Sequence, residues 1–428
     1  MNRKKLEKYA MKLKNILMVC VISFTLCFTL GCENNANVPE ESHEQTPPTS
    51  EQDAPNEQPE IKPDDVISTP NDKVSQVFVQ KDTDGTDDGV SKLISMMSDN
   101  GEYLYKTNDN PDGMIASDDV VMLFFNVQWS GRGGTNTDLI SSVIDALMNH
   151  PDGFNGEIIV ADSGQGDGTL DHAQPNSANK DQSTLDVINA QKAKGVRVTG
   201  YLLDDIMNDK VDEYIDGDDA DGYVLEDGIS ESTKLAFSYP KFTTDYGTRV
   251  SIKMGLWDGS TYDSERLKII NMPVLKSHGT YKATGAVKNY MGMPSQPISN
   301  AAGGSPHNSV ALGGMGEMLV KSRMPVLNIV DMIYVGTHSG PWVTYNQATE
   351  CRMIAASIDP FAVDYWAVTN VLIPEADAVG NTNVPAMDPD SDVPGTFGYW
   401  MKLSLEEVIK AGYTEFTMNP DSIVVHEQ

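Results

Sequence analysis

The sequence predicts an α/β body on a mainly parallel sheet with crossover helices, in a single body domain spanning 76–428. Three observations carry this. Apolar runs of strand length alternate with runs of helical period from about residue 118 onward. The spacing of strand, helix, strand, helix, strand fits right-handed crossovers rather than hairpins. Polar residues follow every strand run, as at the carboxyl edge of an open parallel sheet, although polar loops at strand ends account for part of that pattern.

The elements follow in order. DDVVMLFFNVQW (118–129) is rich in β-branched and aromatic residues and reads as a strand. TDLISSVIDALMNH sets Leu139, Val143, Ile144 and Leu147 on one helical face, with Thr137 or Asp138 as the cap. GEIIVAD (156–162) reads as a buried strand. TLDVINAQKAKG is a helix that stops at Gly195, and VRVTGYLL is the strand after it. RLKIINMPVL and MPVLNIVDMI supply further strands. FAVDYWAVTNVLI is a helix, and Ser404 is read as the cap of LEEVIKAGY. Beyond these strands come Asn126, Gln128 and Trp129, then Asp162, then Asp204 and Asp205, then Lys276 and His278, then Asp331.

The N-terminal part reads as an address. Residues 1–32 open with six Lys or Arg against one Glu, followed by ILMVCVISFTLCFTL, an apolar run of 15 residues. A membrane span needs roughly 20, so a basic head and a short apolar core point to an export signal. Thr29-Leu30-Gly31-Cys32 resembles a bacterial lipobox, with Thr29 where an aliphatic residue is usual. Cys32 would then be lipidated and tie the protein to the membrane; an uncleaved anchor or ordinary secretory signal is the alternative, and each exports the chain. Residues 33–75 are rich in Glu, Gln, Pro and Asn and lack large apolar groups, which predicts a disordered acidic tether. Of four cysteines, only Cys351 lies in the body, so no body disulfide, iron–sulfur cluster or cysteine zinc site is expected. Cys351 reads as a buried small residue.

The formal charge is −31 for the chain and −27 for residues 74–428. Such a body repels nucleic acid and anionic headgroups, which excludes both as direct partners and leaves the lipid as the only membrane contact. Against that background PVLKSHGTYKATGAVKNYMG (273–292) gathers basic groups. Lys276 and His278 lie two apart on an extended run and share a side. Lys288 and Asn289 follow Gly285, and Gly285 and Gly292 permit close backbone approach. Two ammonium groups, an imidazole and an amide suit a small anion such as a carboxylate or phosphate. A surface loop whose lysines pair with the abundant acids is the bland alternative. Asn126, Asp162 and Asp331 would face the stretch from neighbouring strands. His278, as proton carrier, and Lys276 are the catalytic candidates for an enzyme; a receptor that captures a ligand without changing it is the alternative function.

Other patterns are weaker. His278, His307 and His338 fall in Gly- or Ser-rich loops without tight ligand spacing, so no metal site is assigned. NDNPDGMIASDD (108–119) imitates a calcium loop, but Asn stands at its first place and a strand follows it. AAGGSPHNSVALGGMGE fits no phosphate-loop pattern, and no cofactor is identified. Ser163, Ser277 and Ser305 lack a nucleophile-elbow context.

NMPVLKSHGTYKATGAVKNYMGMP resembles the signature of the domain-of-unknown-function-362 family: apolar strand, Pro, Lys, His, then T-G-A-x-K-N-x-x-G. VVMLFFNVQW, GGTNTDLISSVIDAL, IIVADSG, PVLNIVDMI and ASIDPFAVDYWAV resemble its other segments in the same order, from about 118 to 372, with Asp331, Asp359 and Asp364 in place. Phe124 stands where the family's first strand carries Lys, and the ferredoxin-type cysteines of some relatives are missing. The resemblance implies a fold and a shared site, without an established reaction.

Overall fold

The computed structural model describes residues 74–428, so the signal segment, Cys32 and nearly all of the tether lie outside the described residues. The first described strand, β1 (Ser75–Gln80), begins at the last residue assigned to the tether. It is followed by α1 (Gly89–Asp99), β2 (Val120–Phe125), α2 (Thr137–Met148), β3 (Glu157–Asp162), α3 (Thr184–Ala193) and β4 (Val198–Leu202). A meander comes next: β5 (Gly222–Leu225), β6 (Ser238–Thr243), β7 (Arg249–Ser251), β8 (Gly255–Trp257) and β9 (Tyr262–Asp263). Then come β10 (Leu267–Met272), β11 (Val274–His278), β12 (Lys282–Thr284), α4 (Ala286–Asn289), α5 (Gln296–Ala301), α6 (Pro306–Ser309), α7 (Gly314–Lys321) and β13 (Leu327–Gly336). The chain closes with β14 (Ala348–Ser357), α8 (Pro360–Ala367), α9 (Ile373–Ala378), α10 (Phe397–Lys410) and β15 (Ile423–Glu427).

The large sheet runs β15-β1-β14-β13-β10-β2-β3-β4, with β11 and β12 branching from β13. Six of its pairings are parallel and three antiparallel, so the α/β reading with a mainly parallel sheet holds. The fully buried run VVMLFF of β2 shows how the sheet is packed. Val121, Leu123 and Phe125 join one apolar cluster, and Val120, Met122 and Phe124 join the other. Period-two alternation sends successive side chains to opposite faces. Helices α1, α2 and α3 cover the first face through Leu93, Leu139, Val143 and Val187. The later helices and the meander cover the second, through Phe242, Met318, Phe361 and Trp400.

Several expectations change in detail. The cap of α2 is Asn136, whose side chain accepts from Asp138 N and Leu139 N, rather than Thr137 or Asp138. Ser404 is interior to α10, which begins under Thr396; its hydroxyl donates back to Trp400 O, 2.8 Å, the usual resolution for a mid-helix serine. The run RLKIINMPVL is two strands, broken at Pro273, which has no N–H to offer the ladder. The predicted helix at 361–373 is α8 and α9 joined by a π-helical turn at Val368–Leu372. Cys351 is half-buried on β14 rather than fully enclosed.

Candidate functional site

The basic stretch lies where the carboxyl ends of β2 and β3 meet β11 and α4. Sequence explains its framework. Asp364, on α8, is completely buried and accepts from Ala286 N at 2.6 Å and Val287 N at 2.9 Å. It supplies acceptors for the first N–H groups of α4, which have no partners inside the helix. A Cβ on Gly285 would stand 2.2 Å from Asp364 Oδ1, so the glycine of T-G-A-x-K-N is a steric requirement of this carboxylate. Burial pushes the Asp364 carboxyl up to about 7.

Asn289 then locks α4 onto the sheet. Its Nδ2 donates to Phe124 O, 3.2 Å, and Asn271 Oδ1, 2.8 Å. Asn271 Nδ2 donates to Ala286 O and to Asn328 Oδ1, both 2.9 Å, and Asn328 Nδ2 reaches Ser357 O. This ladder of buried amides joins α4, β10, β13 and β14. Asn289 Oδ1 is buried and has no hydrogen-bond partner among the described residues. One turn later, a Cβ on Gly292 would lie 3.0 Å from Ser163 Oγ and 3.3 Å from Asp162 Oδ1. Glycine there lets the chain approach the end of β3.

The functional side chains sit on this frame. Lys276 is 1 % exposed; its Nζ donates to Gly133 O at 2.5 Å and faces Asn126 Oδ1 at 3.5 Å. Burial lowers its pKa to about 7, and Lys288 pushes the same way, while Asp162 opposes them. Asp162 is buried too, accepts from Val127 N at 2.9 Å and Gly164 N at 3.1 Å, and is raised by burial to about 6. Lys288 is 6 % exposed, with Nζ 5.1 Å from the Tyr281 ring centroid. His278 Nδ1 accepts from Thr280 N and Tyr281 N, each at 3.2 Å. That fixes a neutral ring with its proton on Nε2. Burial, then Lys288 and Lys276, hold its pKa well below the usual imidazole range. His307 stands within reach of the same charges: burial, then Lys288, push it down to about 4, and Gln296 Nε2 donates to its Nδ1. Tyr281, whose hydroxyl donates to His307 O at 2.5 Å, lies at the centre of this group.

The structure thus brings together Asn126, Asp162, Lys276, His278, Lys288, Asn289 and Gly292. Asp331 is placed elsewhere. Its carboxylate accepts from Asn136 N at 2.7 Å and Ile333 N at 3.0 Å, and Arg132 is the charge it feels. It braces the loop before α2. His338 instead faces Gln347 O at 3.1 Å. The 108–119 segment closes as a turn against Tyr103 and Leu104, and Asp119 at its twelfth place accepts from Ala116 N. Among the described residues no group of three or more His, Cys, Asp or Glu is gathered to hold a metal.

Two contributors escaped the sequence reading. Tyr281 and the amides Asn271 and Asn328 lie inside the family-like segments but are not singled out there, yet each Asn interrupts an apolar strand run, which is the signal of a buried polar group that needs partners. The second is a strap, residues 163–182, which has no helix or strand although such connections usually take 2–6 residues. Gly164, Gln165 and Gly166 all have positive φ at its start. Its far half is tied down by Arg132 Nη1 to Asn176 Oδ1 and Ser177 O, both 2.8 Å, and by Asn176 Nδ2 to Gly134 O, also 2.8 Å.

A family model described as domain of unknown function (DUF362) matches residues 264–369. Over those residues the chain is similar to the DUF362 family. The match holds β10 to α8, including Lys276, His278, Gly285, Lys288, Asn289 and Asp364. Neither the curated proteins nor the solved structures give a match to the chain. The DUF362 segment therefore contains both the basic stretch and the carboxylate that shapes it, while Asn126 and Asp162 join it from earlier strands.

Proposed function

We propose that this protein binds a small anion at Lys276, Lys288 and His278 and transforms it, as an exported protein held at the membrane by lipid on Cys32. The observation that carries the reading is the joint burial of two lysines. Among the described residues no carboxylate oxygen lies within 4.0 Å of Lys276 Nζ. Both lysines are buried, and each disfavours the other's charge. A carboxylate or phosphate group between them would relieve that cost. His278 offers an Nε2–H rather than a basic nitrogen, because its Nδ1 lone pair is already occupied. Its role shifts from proton carrier to hydrogen-bond donor toward a developing oxyanion. Lys276, with Asp162 near it, becomes the group that takes and returns a proton near neutral pH. This arrangement of a proton acceptor beside fixed donors supports an enzyme over a passive receptor.

Thermal melts of the full chain with a panel of small carboxylates and phosphates test the reading. A specific anion at about 100 times its Kd stabilises by about 2.7 kcal/mol, and the shift should vanish in Lys276→Met. A melt that no anion moves, with severe unfolding of both lysine variants, would return the stretch to architecture. For the anchor, Cys32→Ala should leave the membrane fraction or accumulate as precursor; normal processing and fractionation would sink that part.

A further inference from the structure

Lys276 is held by two neutral oxygens, Gly133 O and Asn126 Oδ1. They orient the amine without requiring a positive charge on it. Lys288 disfavours a second charge, and Asp162 is the carboxylate whose charge the amine feels. A desolvated primary amine beside another cation is the setting in which lysine attacks carbonyl carbon. We propose that Lys276 forms an imine with the carbonyl of a small oxo acid whose carboxylate sits at Lys288; this rests on the anion-site reading above.

The step balances within the site. The Nζ lone pair forms a bond to the carbonyl carbon as the C=O π electrons move to oxygen. His278 Nε2–H donates to that oxygen while it carries charge. One N–H proton passes through a water to Asp162 and on to the oxygen, giving a carbinolamine; the second N–H proton takes the same path to the hydroxyl, which leaves as water as C=N forms. One water is released and neither oxidant nor reductant is consumed. Hydrolysis by the reverse path regenerates the amine.

Lys276 and the strap hold the same loop. Lys276 grips Gly133 O, while the strap residue Asn176 grips Gly134 O, the next carbonyl of the same loop. Release of the strap would free Gly134 O and, with it, the loop that Lys276 grips. Lys241, buried in the meander, shares none of this and serves as an internal control.

The test uses the full chain with pyruvate, glyoxylate or acetoacetate and sodium cyanoborohydride, followed by peptide mapping. A reduced adduct is expected on Lys276 and not on Lys241. Lys288→Ala should lower its yield at limiting probe by about tenfold, and lactate, which has no ketone or aldehyde carbonyl, should protect without labelling. Lys276→Arg should remove the adduct; if that variant fails to fold, the wild-type map alone decides. If these acids raise the melting temperature but Lys276 carries no adduct, or no more than exposed lysines do, the imine is wrong and the anion site stands. If they neither shift the melt nor label Lys276, both readings fall.

Discussion

Lys241 on β6 and Lys276 on β11 are both buried, the first 0 % and the second 1 % exposed. Lys241 Nζ donates to Asp218 O at 2.5 Å, stands 3.9 Å from Asp218 Oδ1, and lies 4.4 Å from the Tyr214 ring centroid. Burial lowers its pKa, but Asp218, Glu213, Asp219 and Asp212 all favour its charge. Lys276 has one such carboxylate, Asp162, and a second lysine working against it. Burial alone therefore says little about a lysine's purpose. The balance of charge around it separates a structural cation from a poised amine.

The comparison can be broken in four ways. Lys241→Ala should cost about 2–4 kcal/mol through lost packing of its stem on Tyr214 and the cavity left behind, and no anion should restore the melt. Asp364→Ala should cost about 2–3 kcal/mol by stranding the buried N–H groups of Ala286 and Val287. It should also abolish the anion response while Lys276 and Lys288 remain, which a purely local loss would not do.

Lys276→Met should be near neutral in stability, or stabilising by about 1–4 kcal/mol, because a buried charge gives way to an apolar group of similar size. Its signature is in pH. The Lys276 pKa is near 7 in the folded protein against 10.5 for a free lysine. The unfolded chain binds the proton more tightly between those values, so wild-type stability should rise with pH across that window. Chemical denaturation from pH 7 to 10 should show the rise in wild type and its loss in Lys276→Met; matching profiles would mean that Lys276 is not desolvated. The smallest expected change is Lys288→Ala, within about 1 kcal/mol in stability but with anion affinity lowered about tenfold. Large destabilisation with unchanged affinity would make Lys288 a second Lys241.

Much of this was legible. Apolar alternation located β2, β3, β4, β10 and β13, because fully buried strands must be written in apolar residues. The glycines and lysines of the basic stretch marked the site. What was hidden depended on distant partners. Asp364 reads as a polar residue inside a helix until α4 is seen resting on it. Asp331 follows a strand just as Asp162 does, yet only the structure shows that its oxygens are taken by Asn136 and Ile333. The meander was missed because β7, β8 and β9 are two or three residues long, too short for a period to appear. The acidic run at 82–89 is a chain of side-chain turns leading into α1, with Asp87 accepting from Thr83 Oγ1 and Gly89 N.

The strand order has a consequence in time. β1 pairs with β14 and β15, whose residues come from the other end of the chain, Phe78 against Ala356 and Ser75 against Ile423. As the polypeptide is made, the segment that becomes β1 has no sheet neighbour until Ala348–Ser357 of β14 has been synthesised. Contacts of such long sequence separation form slowly, since a large loop must close before any of them gains. The edge of the sheet is therefore among the last parts to assemble, and the growing chain stays open through most of its synthesis.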